Sequence, residues 1–82
     1  MLVNMCKSKI HRGRITACDL DYEGSLLVDI ELLKEAGISP YEKILVVNAA
    51  NGERLETYAI PGKAGEREIM LNGAAARRGT PG

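Results

Sequence analysis

Apolar and polar positions in this chain fall into short clusters, and only one cluster has helical spacing. Asp29 stands before Ile30-Glu31-Leu32-Leu33-Lys34-Glu35-Ala36, and Gly37 follows. An aspartate in that place accepts hydrogen bonds from the free N–H groups of a first turn. A glycine after the last turn takes the left-handed conformation that ends it. The pattern therefore predicts a helix of about two turns over 30–36. Pro40 keeps it from resuming.

The remaining clusters predict strands and turns. The stretch Leu2 to Cys18 reads as one long bent strand or two short ones, with Gly13 at the bend. Ser25-Leu26-Leu27-Val28 is a short apolar strand. Lys43-Ile44-Leu45-Val46-Val47-Asn48 is rich in β-branched residues and reads as another. Arg54 to Ile60 pairs with it through Asn51-Gly52, a hairpin signal because both central positions of such a turn favour positive φ. Alternation puts Leu55, Thr57 and Ala59 on one face, and Arg54, Glu56, Tyr58 and Ile60 on the other. Pro61 to Gly65 is predicted as a loop and Glu66 to Leu71 as a fourth strand. Asn72 to Ala76 is then a turn or helical start, and Arg77 to Gly82 a polar tail.

Composition narrows the class. Eighty-two residues make a single small domain. Eleven Lys and Arg balance eleven Asp and Glu. That neutrality argues against a nucleic-acid or anionic-membrane partner, including a small swapped-hairpin DNA-binding barrel. No apolar run is long enough to span a bilayer as a helix, and the N-terminus lacks a signal-peptide pattern, so a cytoplasmic protein is expected. There is no Phe and no Trp, and the only aromatics are Tyr22, Tyr41 and Tyr58. A core built from Leu, Ile, Val, Met and Ala in so short a chain favours self-association. Cys6, Cys18 and His11 are too few and too widely spaced for a structural zinc site, and no metal is expected.

Taken singly, no side chain declares a chemistry. His11 is better explained by packing or solvent exposure than by base or ligand duty. Lys9 and Arg54 read as solvated cations on strands. Tyr58 reads as a cross-strand aromatic, Asn72-Gly73 as a turn, and Ala74-Ala75-Ala76 as the start of a helix. A Gly24-Ser25 pair by itself means a turn.

The ordered set is more specific. His11-Arg12, Tyr22-Glu23-Gly24-Ser25, Asn51-Gly52 with Arg54, Thr57-Tyr58-Ala59-Ile60 and Asn72-Gly73-Ala74-Ala75-Ala76 occur in this order and at these spacings. Together they resemble the pyruvoyl-dependent L-aspartate α-decarboxylase family, and the similarity covers essentially the whole chain. The resemblance implies a mainly β fold, a double-psi β-barrel with one short helix. The barrel would be incomplete here, because family members continue for several tens of residues past the position of Gly82. It implies one domain over 1–82, divided into a β-chain-like segment 1–24 and the start of an α-chain-like segment 25–82. It also implies a homotetramer with sites between neighbouring subunits.

The chemistry implied is self-processing followed by decarboxylation. In the family, a zymogen cleaves itself between the residues matching Gly24 and Ser25. The serine hydroxyl attacks the glycine carbonyl, and the resulting ester eliminates and hydrolyses to leave a covalent pyruvoyl group derived from Ser25. Thr57 matches the hydroxyl that assists cleavage, a role suited to a carbonyl oxygen gaining charge. The substrate amine of L-aspartate forms a Schiff base with the pyruvoyl group, which accepts the electrons released with CO2. Tyr58 matches the proton donor, and a phenol at neutral pH has a proton to give. Lys9, Arg54, Thr57, Asn72, Gly73, Ala74 and Ala75 match substrate-binding positions, the two cations suiting the carboxylates. His11 and Tyr22 match pocket positions without a fixed role. The product, β-alanine, would feed pantothenate and coenzyme A synthesis. A second reading, from a different class, is a non-catalytic small β-barrel module that uses the scaffold for self-association.

Overall fold

A computed structural model describes all residues, 1–82. Five strands form a mixed sheet: β1 (Ala17–Asp19), β2 (Leu26–Asp29), β3 (Lys43–Val47), β4 (Arg54–Gly62) and β5 (Ile69–Asn72), in the spatial order β1-β5-β2-β4-β3. The α-helix α1 (Ile30–Ala36) follows β2, and a 3-10 helix (Gly73–Arg78) follows β5. β2 lies at the centre, parallel to β4 and antiparallel to β5. β1 and β3 are open edges. The fold is mainly β with one short helix, an unclosed sheet matching the incomplete double-psi β-barrel expected from the sequence.

The α1 prediction holds to the residue. The Asp29 carboxylate accepts from the Glu31 N–H at 2.8 Å, and Gly37 ends the helix at φ 73°. Asp29 does more than cap. It is 1% exposed and also accepts from the Arg67 N–H at 2.7 Å, tying the β4–β5 loop to the start of the helix. The N–H of Glu31 is the largest influence holding this carboxyl below the usual aspartate range. Burial opposes it, and the N–H groups of Arg67 and Gly65 and the Arg67 charge reinforce it. The core beneath is small. Val28, Leu33 and Ala59 are buried, with Leu26, Ile30, Leu32, Ile38, Ile44 and Ile69 packed around them.

Four strand predictions are corrected. Of the stretch Leu2 to Cys18, only Ala17 and Cys18 are strand, the start of β1. Upstream of Thr16, which exchanges hydrogen bonds with Ile69, no strand lies alongside, and the break in extension falls on Arg12 at φ 60° beside Gly13. β2 starts at Leu26, because Ser25 sits at φ 81°. β4 runs on through Pro61 and Gly62, where a loop was expected, because those residues pair with Val28 and Asp29 of β2. β5 starts at Ile69 rather than Glu66, since Arg67 at φ 52° is held by Asp29. The β3–β4 hairpin is present, but only Gly52 of the Asn51-Gly52 pair has positive φ. The connection spans 48–53, fastened by hydrogen bonds between Asn48 and both Gly52 and Glu53.

No helix is long and apolar enough to cross a membrane.

Candidate active site

The centre of the sheet opens on a cleft of about 290 Å³ lined by Gly24, Ser25, Leu55, Glu56, Thr57, Asn72, Ala74, Ala75 and Arg78. Three segments build it. The turn after β1, in which the Asp19 side chain accepts from the Asp21 N–H, delivers Gly24-Ser25 to the start of β2. The parallel register pairs Leu26 with Ala59, so the residues just before β2 lie level with Thr57 and Tyr58 on β4. On the other side Leu26 pairs with Leu71 of β5, which brings Asn72 and the 3-10 helix against Ser25. The Asn72 N–H donates to the Ser25 carbonyl oxygen at 3.0 Å.

The Gly24-Ser25 link carries visible strain. Ser25 has φ 81°, a region that a serine occupies at a cost of about 1–3 kcal/mol. Gly73 presses on the preceding residue. Its own φ is 61°, and a Cβ there would lie 2.8 Å from the Gly24 Cα and 3.1 Å from the Tyr22 carbonyl oxygen. Gly73 must therefore be glycine for space and for conformation. By contrast, a Cβ on Gly24 would meet nothing within 4 Å. The close approach that glycine permits at this link is made from the Gly73 side.

Asn72 is the second unusual feature. It is fully buried, yet neither its Nδ2 nor its Oδ1 has a hydrogen-bond partner. Leaving such groups unpaired costs about 1–3 kcal/mol each. The side chain does not cap the 3-10 helix that it precedes. An amide kept at this cost, on a residue lining the cleft, is available to whatever occupies the cleft.

The structure therefore brings together Gly24, Ser25, Thr57, Asn72, Gly73, Ala74 and Ala75. It does not bring Lys9, His11, Arg54, Tyr22 or Tyr58 into the lining of the cleft. Lys9 lies in a separate groove with Ile10, Leu32, Glu35 and Ala36, and His11 is exposed. Tyr58 and Arg54 alternate onto the outer face of β4, opposite Thr57, where Tyr58 is 52% exposed across from Lys43. Tyr22 is also exposed, although its carbonyl touches the space beside Gly73.

Three lining residues escaped the sequence reading: Leu55, Glu56 and Arg78. Leu55 was available from its alternation with Thr57. Glu56 pairs with Lys43 at 3.0 Å, and that carboxylate raises the lysine above its usual range. Arg78 belongs to the polar tail of the sequence pattern, and the 3-10 helix carries it to the cleft.

Residues 1–82 match the aspartate decarboxylase family. The chain belongs to that family. Its relatives include proteins named aspartate 1-decarboxylase from Coprothermobacter proteolyticus (58% identical), Desulfotalea psychrophila (61%) and Salinibacter ruber (58%). Each similarity covers all of this chain and 68%, 69% and 56% of the respective relative. The chain thus spans between a little over half and about two thirds of the length of these relatives. The matched range includes every residue that lines the cleft.

Proposed function

We propose that this protein is a pyruvoyl-dependent decarboxylase that converts L-aspartate to β-alanine and CO2, after cutting its own chain between Gly24 and Ser25. The observation that carries the proposal is the strained Ser25, set in a cleft beside Thr57 and the unpartnered amide of Asn72. Membership of the family, and the names its relatives bear, support the decarboxylase activity.

In the processing step the Ser25 Oγ attacks the Gly24 carbonyl carbon. The acyl group moves from nitrogen to oxygen, and the Ser25 nitrogen becomes a free amine. Thr57, which lines the same cleft, donates its hydroxyl hydrogen to the Gly24 oxygen as charge gathers there. Loss of the Ser25 Cα proton then expels the Gly24 carboxylate. Addition of water to the remaining dehydroalanine releases ammonia and leaves a ketone on the new N-terminus. Strain at φ 81° favours departure from the peptide ground state.

The residues present fit the pyruvoyl group. Ser25 is its source, the Asn72 N–H already holds the Ser25 carbonyl, and the Asn72 side chain has hydrogen-bonding capacity to spare. Once formed, the group supplies a conjugated carbonyl able to take up the electron pair left when the α-carboxylate departs. Asn72 and the backbone of Gly73, Ala74 and Ala75 orient the substrate, the small side chains leaving room for it. Tyr58 gives a proton from its Oη to the substrate Cα. Lys9 and Arg54 hold carboxylates, with His11 and Tyr22 bordering the pocket. These side chains lie away from the cleft, an arrangement that fits a homotetramer in which a neighbouring subunit completes each site. The β-alanine formed would serve pantothenate and coenzyme A synthesis in the cytoplasm.

The test is product analysis. Incubation with L-aspartate should yield β-alanine and CO2 in equal amounts, and prior treatment with hydroxylamine, which captures ketones, should stop it. Failure to form β-alanine by protein that has been cut after Gly24 would remove the proposal.

A further inference from the structure

The geometry points to Arg78 as a residue that binds a substrate carboxylate in the cleft beside Ser25, with Glu53 as the anion it exchanges for that carboxylate. The inference rests on the dicarboxylate substrate proposed above and adds a recognition residue to it.

Arg78 is the only cationic residue that lines the cleft. Lys9 belongs to the separate groove against α1, and Arg54 faces outward from β4. The one anion in the lining, Glu56, already pairs with Lys43. A dicarboxylate entering from solvent would therefore meet Arg78 as the cleft's own source of positive charge.

The backbone of Arg78 is anchored, and its side chain is half-exposed and held by a single surface ion pair. Its carbonyl oxygen accepts from the Asn48 Nδ2 and from the Asn51 Nδ2, each at 2.9 Å, so the β3–β4 turn anchors the end of the 3-10 helix. The guanidinium is 48% exposed and donates through Nη1 to Glu53, itself 45% exposed. Guanidinium carries five donors, so its remaining edges are open to a second carboxylate in bidentate geometry. An ion pair this exposed contributes little, and exchange of its partner is cheap. Glu53 thus acts as a competing internal carboxylate, and substrate binding must displace or share it.

This arrangement makes two substitutions act in opposite directions. Succinate, a dicarboxylate without an amine, is titrated calorimetrically into the purified protein, with propionate as the single-carboxylate control. Arg78→Gln should weaken succinate binding about tenfold, and Arg78→Lys should restore part of it. Glu53→Gln should tighten binding by about threefold, because the competing anion is gone. Propionate should show the smaller response to all three. Both Arg78→Gln and Glu53→Gln remove the same ion pair, so a merely structural latch would shift affinity the same way in both. That result overturns the proposal, as does an absence of succinate binding by the unaltered protein. Succinate undergoes no decarboxylation, so this titration and the β-alanine assay can fail independently.

Discussion

At the residue scale, Gly73 and Tyr58 have roles that can be separated by substitution. Gly73→Ala would place a methyl group 2.8 Å from the Gly24 Cα and force an alanine to φ 61°. Backbone must move, and the part that moves carries the bond to be cut. The variant should be less stable by about 1–3 kcal/mol and should process slowly or not at all, read by denaturant unfolding and by gel mobility. Normal processing would show that this close approach does not set the Gly24 geometry. Tyr58→Phe removes one oxygen on the outer face of β4, on the opposite side of the strand from the Thr57 side chain. Processing should survive, while β-alanine formation falls by about 10²–10⁴-fold, the usual worth of a positioned acid. Unchanged turnover would assign the proton to another group.

At the element scale, α1 and its cap were legible in the sequence because they depend on neighbours in the chain: Asp29 before, Gly37 after, apolar spacing between. The β4 face pattern was legible for the same reason. The ends of β1, β4 and β5 were not, because each is set by a partner distant in sequence. Pro61 and Gly62 look like a loop until β2 lies beside them, and Leu2 to Ile15 looks extended but has no strand at its side. The cleft was legible as a set of residue types, including Gly24, Ser25, Thr57 and Asn72. The empty hydrogen-bonding capacity of Asn72 and the inclusion of Arg78 depend on how β5 runs into the 3-10 helix.

Asp29 joins α1 to the β4–β5 loop, and its titration gives a prediction for these elements. Its carboxyl is held below the ordinary value in the folded chain, so its contribution is present above the unfolded aspartate value, about 3.9. It is lost as pH falls through the lower folded value. Asp29→Asn keeps a capping oxygen but no titrating charge. Its unfolding midpoint should depend less on pH between about 5 and 2 than that of the unaltered protein. Parallel acid profiles would place the acid sensitivity elsewhere, for example at Glu42, whose carboxyl the Lys7 ammonium and then the Ser39 N–H hold low.

At the scale of the whole molecule, eight residues are buried, and Leu45, Val47 and Tyr58 are exposed on the outer face of β3 and β4, each across from a charged residue. A core this small, with large apolar side chains left exposed, favours burial between copies. Sedimentation equilibrium should return four times the chain mass, and a concentration-independent monomer would contradict a site shared between subunits.

The central claim is that the link between Gly24 and Ser25 breaks through the serine oxygen, and intact-mass spectrometry over a warmed time course tests it most directly. The account predicts two fragments, 1–24 and 25–82, the larger one lacking a free amino terminus, and an unbroken chain in Ser25→Ala. A parent protein that keeps its full mass throughout, or a Ser25→Ala variant cut at the same place, would contradict it.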